Sequence, residues 1–288
     1  MTFADRPPVV DAYVYVPPTN AEEEFAWMAT QLKGQEFSAS EYPVGHLYAD
    51  RPHRPVDREP VEWVLSEMDR FGIEMAVVDI HPGDDEAAAI LARRDRFLPV
   101  LNVDPNDGMT ALRTIDAAAA GGGIVGVSSG PAFVVPQVAI NDRRYYPIYA
   151  KCVELDLPMF MTVGVPGPRV PMAPQYVGLI DDVCCHFPEL KLVMRHGAEP
   201  WVDLAIKLMR KWPNLYYSTS AFTPKRYPKE IVDYANRNGS DRVMYAGYFA
   251  GGLSLDRIFA ELEHLPLRDE VWPKFLRENT LRVLGVDA

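Results

Sequence analysis

An α/β chain folded as one (β/α)8 barrel, the TIM-barrel architecture, is what this sequence predicts, and three observations predict it. The chain has 288 residues, close to the roughly 250 that eight βα units occupy as a single domain. Short, nearly continuous apolar runs alternate with longer amphipathic ones, as they do when parallel strands are covered by helices on both faces. Eight such runs are present, which favours a closed barrel over an open doubly wound sheet.

The first run, residues 9–16, reads VVDAYVYV. Asp11, Tyr13 and Tyr15 lie two residues apart, so one strand face carries all three. Residues 17–59 then break the rhythm: they are proline-rich and irregular, with one short helical pattern near 21–32 and the run HLYADRPHRPVDRE. A long insertion after a barrel strand lies over the active-site face, so 17–59 is expected to form part of a lid. The helix PVEWVLSEMDRFG opens on Pro60 and stops at Gly72, the preferred asymmetry. Strands at 75–80 and 97–103 flank the helix DDEAAAILARRDR. In MTALRTIDAAAAGGG the glycines at 121–123 end a helix and precede the strand at 124–128. They are therefore a C-cap and turn, and no G-x-G-x-x-G follows any strand to suggest a dinucleotide loop. YYPIYAKCVELD carries its aromatics at helical spacing, a packing face, ahead of the strand at 158–162. After the strand at 192–196, the helix EPWVDLAIKLMRKWP ends with Arg210 and Lys211, cations that suit its C-terminal dipole. Strands at 215–219 and 243–247 complete the set. One domain spans 1–288, without repeat or low-complexity tail.

Hydrophobic residues at 48% and charged residues at 24% fit a soluble globular protein. A net charge of −11 argues against a nucleic-acid surface. It leaves room for a small anionic substrate, which one local arginine can bind. No apolar run approaches the ~20 residues of a membrane span, and the acidic, proline-bearing N-terminus lacks a secretory signal. A cytoplasmic protein with a small-molecule substrate, and with neither nucleic acid nor membrane as partner, is expected. The three cysteines Cys152, Cys184 and Cys185 form neither a disulfide framework nor a C-x-x-C zinc pair. They read as buried small apolar residues in a reducing compartment.

Barrel chemistry sits where strands end. The polar residues there are Tyr13, Tyr15, Asp79, His81, Ser128, Ser129, Thr162, Arg195, His196, Thr219, Ser220 and Tyr248. Arg195 precedes His196, so strand alternation points it outward, toward the helices. His81, in HPGDDE, reads as part of a turn and helix cap. Ser128 and Ser129 lack the G-x-S-x-G context of an activated nucleophile. Arg51, Arg54 and Arg58 in the insertion are candidate readers of a substrate carboxylate.

The segments FLPVLNVDPND, RRYYPIYAKCVELDLPMF, FPELKLVMRHGAEPW, NLYYSTSAF, DRVMYAGYFAGGLSL and ENTLRVLGV, in that order and spacing, resemble the amidohydrolase-related group of metal-dependent hydrolases. Their branch includes aminocarboxymuconate semialdehyde decarboxylase and the resorcylate decarboxylases. The resemblance covers nearly the whole chain and implies a barrel with a divalent metal at its mouth. It places Asp-x-His-x-His on the first strand, where Asp11, Tyr13 and Tyr15 stand here. It places ligands at the fifth and eighth strand ends, where Thr162 and Tyr248 stand. All four expected ligands are thus exchanged. The histidine that moves protons beside the metal in that branch matches His196. Dimers are frequent in the group, so a homodimer is one open outcome.

Together these readings predict a metal-independent enzyme with no cofactor. It acts as a carbon–carbon lyase or decarboxylase, or as a hydrolase, on a small cyclic or aromatic acid. His196 would be its general acid or base, and Tyr13, Tyr15 and Tyr248 its hydrogen-bond donors. Asp11, Thr162, Ser128 and Arg54 are the expected substrate-binding residues. The alternative is a non-catalytic barrel that binds a ligand or supports an active partner, its tyrosine rings filling the space a metal left.

Overall fold

The computed structural model describes residues 6–20, 28, 31, 43–48, 51–81 and 83–287. Its strands are β1 (Val9–Asp11), β2 (Ile73–Ile80), β3 (Phe97–Asn102), β4 (Gly126–Ser129), β5 (Met159–Thr162), β6 (Leu192–Arg195), β7 (Leu215–Ser218) and β8 (Val243–Met244). They stand in sequence order in one parallel sheet. Helices α1 (Pro60–Arg70), α2 (Asp85–Leu91), α3 (Met109–Ala120), α4 (Tyr146–Glu154), α5 (Ile180–His186), α6 (Val202–Lys211), α7 (Lys229–Ala235) and α8 (Leu255–Leu262) follow successive strands, and α9 (Asn279–Leu284) comes last. The predicted glycine stop holds: Gly121 caps α3 and Gly122 is left-handed, φ 59°. Among the described residues no helix is long and apolar enough to cross a membrane.

Two apolar layers result. The inner one joins Val10, Ala12, Val77, Leu98, Val100, Phe160, Val193, Tyr216, Met244 and Ala246, and α9 adds Leu281, Val283 and Leu284. The last helix thus closes the end of the barrel opposite the strand tips. The outer layer packs the other strand faces against α1–α8 and includes Tyr145, Tyr149 and Cys152, as the helical aromatic run predicts. Cys152 and Cys184 are buried, but Cys185 is exposed, against expectation.

The first and last strands are shorter than predicted, ending at Asp11 and Met244 instead of Val16 and Gly247. Side-chain chemistry explains this. Asp11 Oδ1 accepts the amides of both Tyr13 (3.0 Å) and Gly247 (2.9 Å), replacing ladder bonds just where the strands would continue. The seam between β8 and β1 is finished by Ala12 N to Tyr245 O (3.0 Å) and a lone bridge from Val14 to Phe249.

Of the predicted lid, residues 21–27, 29–30, 32–42 and 49–50, with most of the short helical pattern, lie outside the described residues. Tyr48 reaches the strand tips, where its hydroxyl donates to Ala221 O at 2.6 Å.

Candidate active site

Parity along the strands decides what enters the barrel. Inward positions beyond the apolar floor are Asp79 on β2, Asn102 on β3, Ser128 on β4, Thr162 on β5, Arg195 on β6 and Ser218 on β7, each two residues on from an inner apolar or small neighbour. These side chains form a polar layer under the mouth. Arg195 Nη1 donates to both Asp79 oxygens at 2.8 Å. Ser128 Oγ donates to Asp79 Oδ1 at 2.9 Å and accepts from Asn102 at 3.2 Å. The Arg195 guanidinium lies against two rings, 5.0 Å from the Tyr13 centroid and 4.4 Å from that of Phe160.

Arg195 therefore points inward, which corrects the outward assignment. The error came from treating His196 as another strand residue. At His196 the chain turns left-handed, φ 67°, and the strand ends at Arg195. Both side chains consequently reach the mouth. Ala198, Ala221 and Tyr248 also have positive φ, 58°, 72° and 61°, so the tips of β6, β7 and β8 share backbone conformations that L-residues avoid. Such strain of about 1–3 kcal/mol per residue persists only where the surroundings enforce it, and it gathers at functional sites.

His196 sits in the corner this creates. Its amide donates to Ser220 Oγ (3.1 Å). Tyr13 and Tyr248 rings meet the imidazole edge-on, each at 5.3 Å, and stack on one another at 5.4 Å. Tyr48 covers Tyr248 at 5.7 Å. His196, Tyr13, Tyr248, Asp79 and Thr162 all stay partly exposed, yet His196 Nδ1 is buried with no hydrogen-bond partner. Desolvation, then the Arg195 charge, push the imidazole down to about 3, with Asp79 opposing. It is a neutral base at working pH. Desolvation also pushes the Tyr13 phenol well above its ordinary value, helped by Asp79 and Tyr248. It stays protonated and can only donate or accept hydrogen bonds.

The structure thus brings together Tyr13, Tyr248 and His196, with Thr162 and Ser128 in the layer beneath. Tyr15 is joined by its amide to the Phe249 carbonyl beyond β8. Asp11 departs from expectation. Val10 and Ala12 face the interior but Val14 faces the outer layer, so alternation breaks after Ala12. Asp11 lies on the outer side beside Tyr245 and does not share a face with Tyr13. Arg54 is not at the mouth either: it donates to the carbonyls of Arg58 and Thr19, the latter at 2.9 Å, and Thr19 is tied to Glu86 on α2. Ser129 faces outward to Tyr145, and the His81 amide donates to Asp84 in the predicted turn. Asp79, Asn102 and Arg195 were missed as site residues. The signal was present, because opposite charges inside two buried parallel strands must find each other.

Asp11 is fully buried. Desolvation pushes its carboxyl up to about 7, against the pull of the two amides and Tyr245. A carboxyl raised in the fold gives stability that is complete below its unfolded value near 3.8 and is lost as pH rises through about 7. Asp11→Asn keeps the Oδ1 acceptor and removes the ionisation. It should equal the natural protein near pH 4 and exceed it by about 4 kcal/mol at pH 8, read from urea melts at both pH values.

A family model described as amidohydrolase matches residues 39–286. This chain belongs to the amidohydrolase family. No curated protein matches it. Among solved structures, an uncharacterised TIM-barrel protein from Bordetella bronchiseptica is 23% identical, with 96% of this chain and 98% of that one covered and a TM-score of 0.76. The 5-carboxyvanillate decarboxylase of Novosphingobium aromaticivorans, complexed with manganese and 4-hydroxy-3-methoxy-5-nitrobenzoic acid, is 15% identical, with 96% of each chain covered and a TM-score of 0.68. The 2,6-dihydroxybenzoate decarboxylase from Rhizobium is 15% identical, with coverage of 97% and 98% and a TM-score of 0.67. At these identities the likeness shows the fold alone.

Proposed function

We propose that this amidohydrolase acts without a metal on a small cyclic or aromatic acid, as a carbon–carbon lyase of the decarboxylase kind or as a hydrolase of an activated ester or lactone. One observation carries the reading: the His196 imidazole, the phenols of Tyr13 and Tyr248 and the Arg195 guanidinium meet at the strand tips.

A divalent ion needs several imidazole, thiolate or carboxylate donors. At the positions where the family resemblance places ligands stand Tyr13, Tyr15, Thr162 and Tyr248. Asp11 Oδ1 is committed to two amides, and its carboxyl lies on the outer side beside Tyr245. Among the described residues no three His, Cys, Asp or Glu side chains cluster to hold a metal, and the guanidinium against Tyr13 repels a second cation. These residues do not fit a divalent metal, and no step is routed through one.

The chain's own groups supply the alternative. Tyr13 and Tyr248 donate to negative charge that develops on the substrate, with Tyr15 a further phenol nearby. Thr162 and Ser128 help orient it from the layer below. Loss of a carboxyl group as carbon dioxide leaves an electron pair on carbon, and one proton from solvent, passed through His196, takes that pair. The decarboxylases of aromatic acids among the structural neighbours support this substrate class. The insertion, which reaches the strand tips through Tyr48 and through Arg51 Nε donating to Ala250 O at 3.3 Å, would act as the lid.

A second reading is a barrel that binds its acid without turning it over. The low basicity of His196 in the free protein favours it. Metal analysis and assays with hydroxybenzoates and 5-carboxyvanillate, with and without chelator, separate the two. Turnover unchanged by EDTA in protein holding only traces of metal is the expected result. Stoichiometric manganese or zinc whose removal abolishes turnover would sink the proposal, and saturable binding without turnover would favour the second reading.

A further inference from the structure

We infer that Arg195 is the anion-binding group of this site and takes a substrate carboxylate on its Nε–H and Nη2–H edge. The inference deepens the proposed function and rests on it only for the word substrate.

Arg195 is 2% exposed. Tyr13 and Phe160 lie against it, and Nη1 is spent on Asp79. Nε and Nη2 are buried with no hydrogen-bond partner. Buried donors on a charged group are rarely left unmade, because each costs about 1–3 kcal/mol or more without an acceptor. The two rings are at most weak acceptors and do not replace an oxygen. The unpartnered edge is also the side-on fork, two nearly parallel N–H bonds that match the two oxygens of a carboxylate.

The rest of the layer fits an anion there. Thr162 is the register partner of Arg195 on the next strand and faces inward beside it, partly exposed. Asp79 orients the guanidinium and, being already paired on the Nη1 side, leaves the fork free. Tyr13 lies between Arg195 and His196, in contact with both. A carboxylate on the fork would offset the positive charge that His196 faces. The groups around that imidazole are Arg195, Asp79, Tyr13 and Tyr248, so cancelling the one cation makes His196 a stronger base when the acid is bound. Anion binding and proton transfer are thereby linked, and the permanent charge of Arg195 does part of the work that an ion would do in a metal-dependent relative.

Benzoate is the probe, with benzamide as its neutral counterpart and acetate as a smaller acid. Calorimetry on the whole protein should show saturable benzoate or acetate binding, at least tenfold weaker benzamide binding, and a rise in the His196 titration by NMR on adding the acid. Arg195→Lys, which keeps the charge and loses the fork, should weaken carboxylate binding about tenfold, and Arg195→Met should abolish it. If Arg195→Met fails to fold, the lysine variant and the benzamide comparison still decide. Equal binding of benzoate and benzamide, natural affinity in Arg195→Lys, or no saturable binding of either carboxylate overturns the inference. Carboxylate binding through Arg195 without any turnover leaves it standing and removes the enzymatic reading. Turnover with an unchanged KM in Arg195→Lys does the reverse.

Discussion

Asp79→Ala is expected to cost this barrel about 3–5 kcal/mol, the effect of breaking a buried ion pair from one side. Arg195 keeps 3% side-chain exposure and Asp79 19%, so removing the carboxylate strands a cation that water hardly reaches. Ser128 loses its acceptor at the same time. The converse double change, Asp79→Leu with Arg195→Met, should recover most of that loss, because an apolar pair of similar bulk avoids the desolvation cost altogether. Urea melts of the three proteins check this. A single Asp79→Ala change that leaves the midpoint where it was would show that the pair is not enclosed as described.

His196→Asn is expected to lower kcat about 10²-fold or more, the usual loss of a positioned proton-transfer group. Tyr13→Phe and Tyr248→Phe should each lower it about 10²-fold, as the removal of one oxyanion donor does. The histidine carries a second signature that needs no assay. Its imidazole is held to about 3 in the fold, below its ordinary 6.5. The unfolded chain therefore takes up the proton first as pH falls from about 6.5 toward 3, and the native protein loses stability across that window. His196→Asn should remove that share of the acid loss, visible in melts at pH 7 and pH 5. Unchanged turnover with an unchanged acid limb would deny His196 both roles.

The alternation of apolar and amphipathic runs carried the barrel, since burial on both strand faces leaves that pattern however the side chains are arranged. The end positions of strands were legible too, which is why Tyr13, His196 and Tyr248 were found at the mouth and Ser128 and Thr162 in the layer beneath it. What alternation could not carry was the place where it stops. A left-handed His196 lets neighbouring residues enter the same space, and a side-chain clamp by Asp11 ends β1 early and turns Tyr13 away from its strand partner. Both events depend on groups distant in sequence: Ser220 for the histidine amide and Gly247 for the aspartate. Arg54 failed for a plainer reason. A long side chain in an irregular segment takes the nearest carbonyls, here those of Thr19 and Arg58.

One oxygen atom, Asp11 Oδ1, grips the amide of Tyr13 and the amide that immediately precedes Tyr248. The two stacked phenols thus hang from one pivot behind the wall, out of reach of anything that enters. They present a visiting ring with one fixed ledge, because neither can shift its main chain without unfastening the first strand from the last.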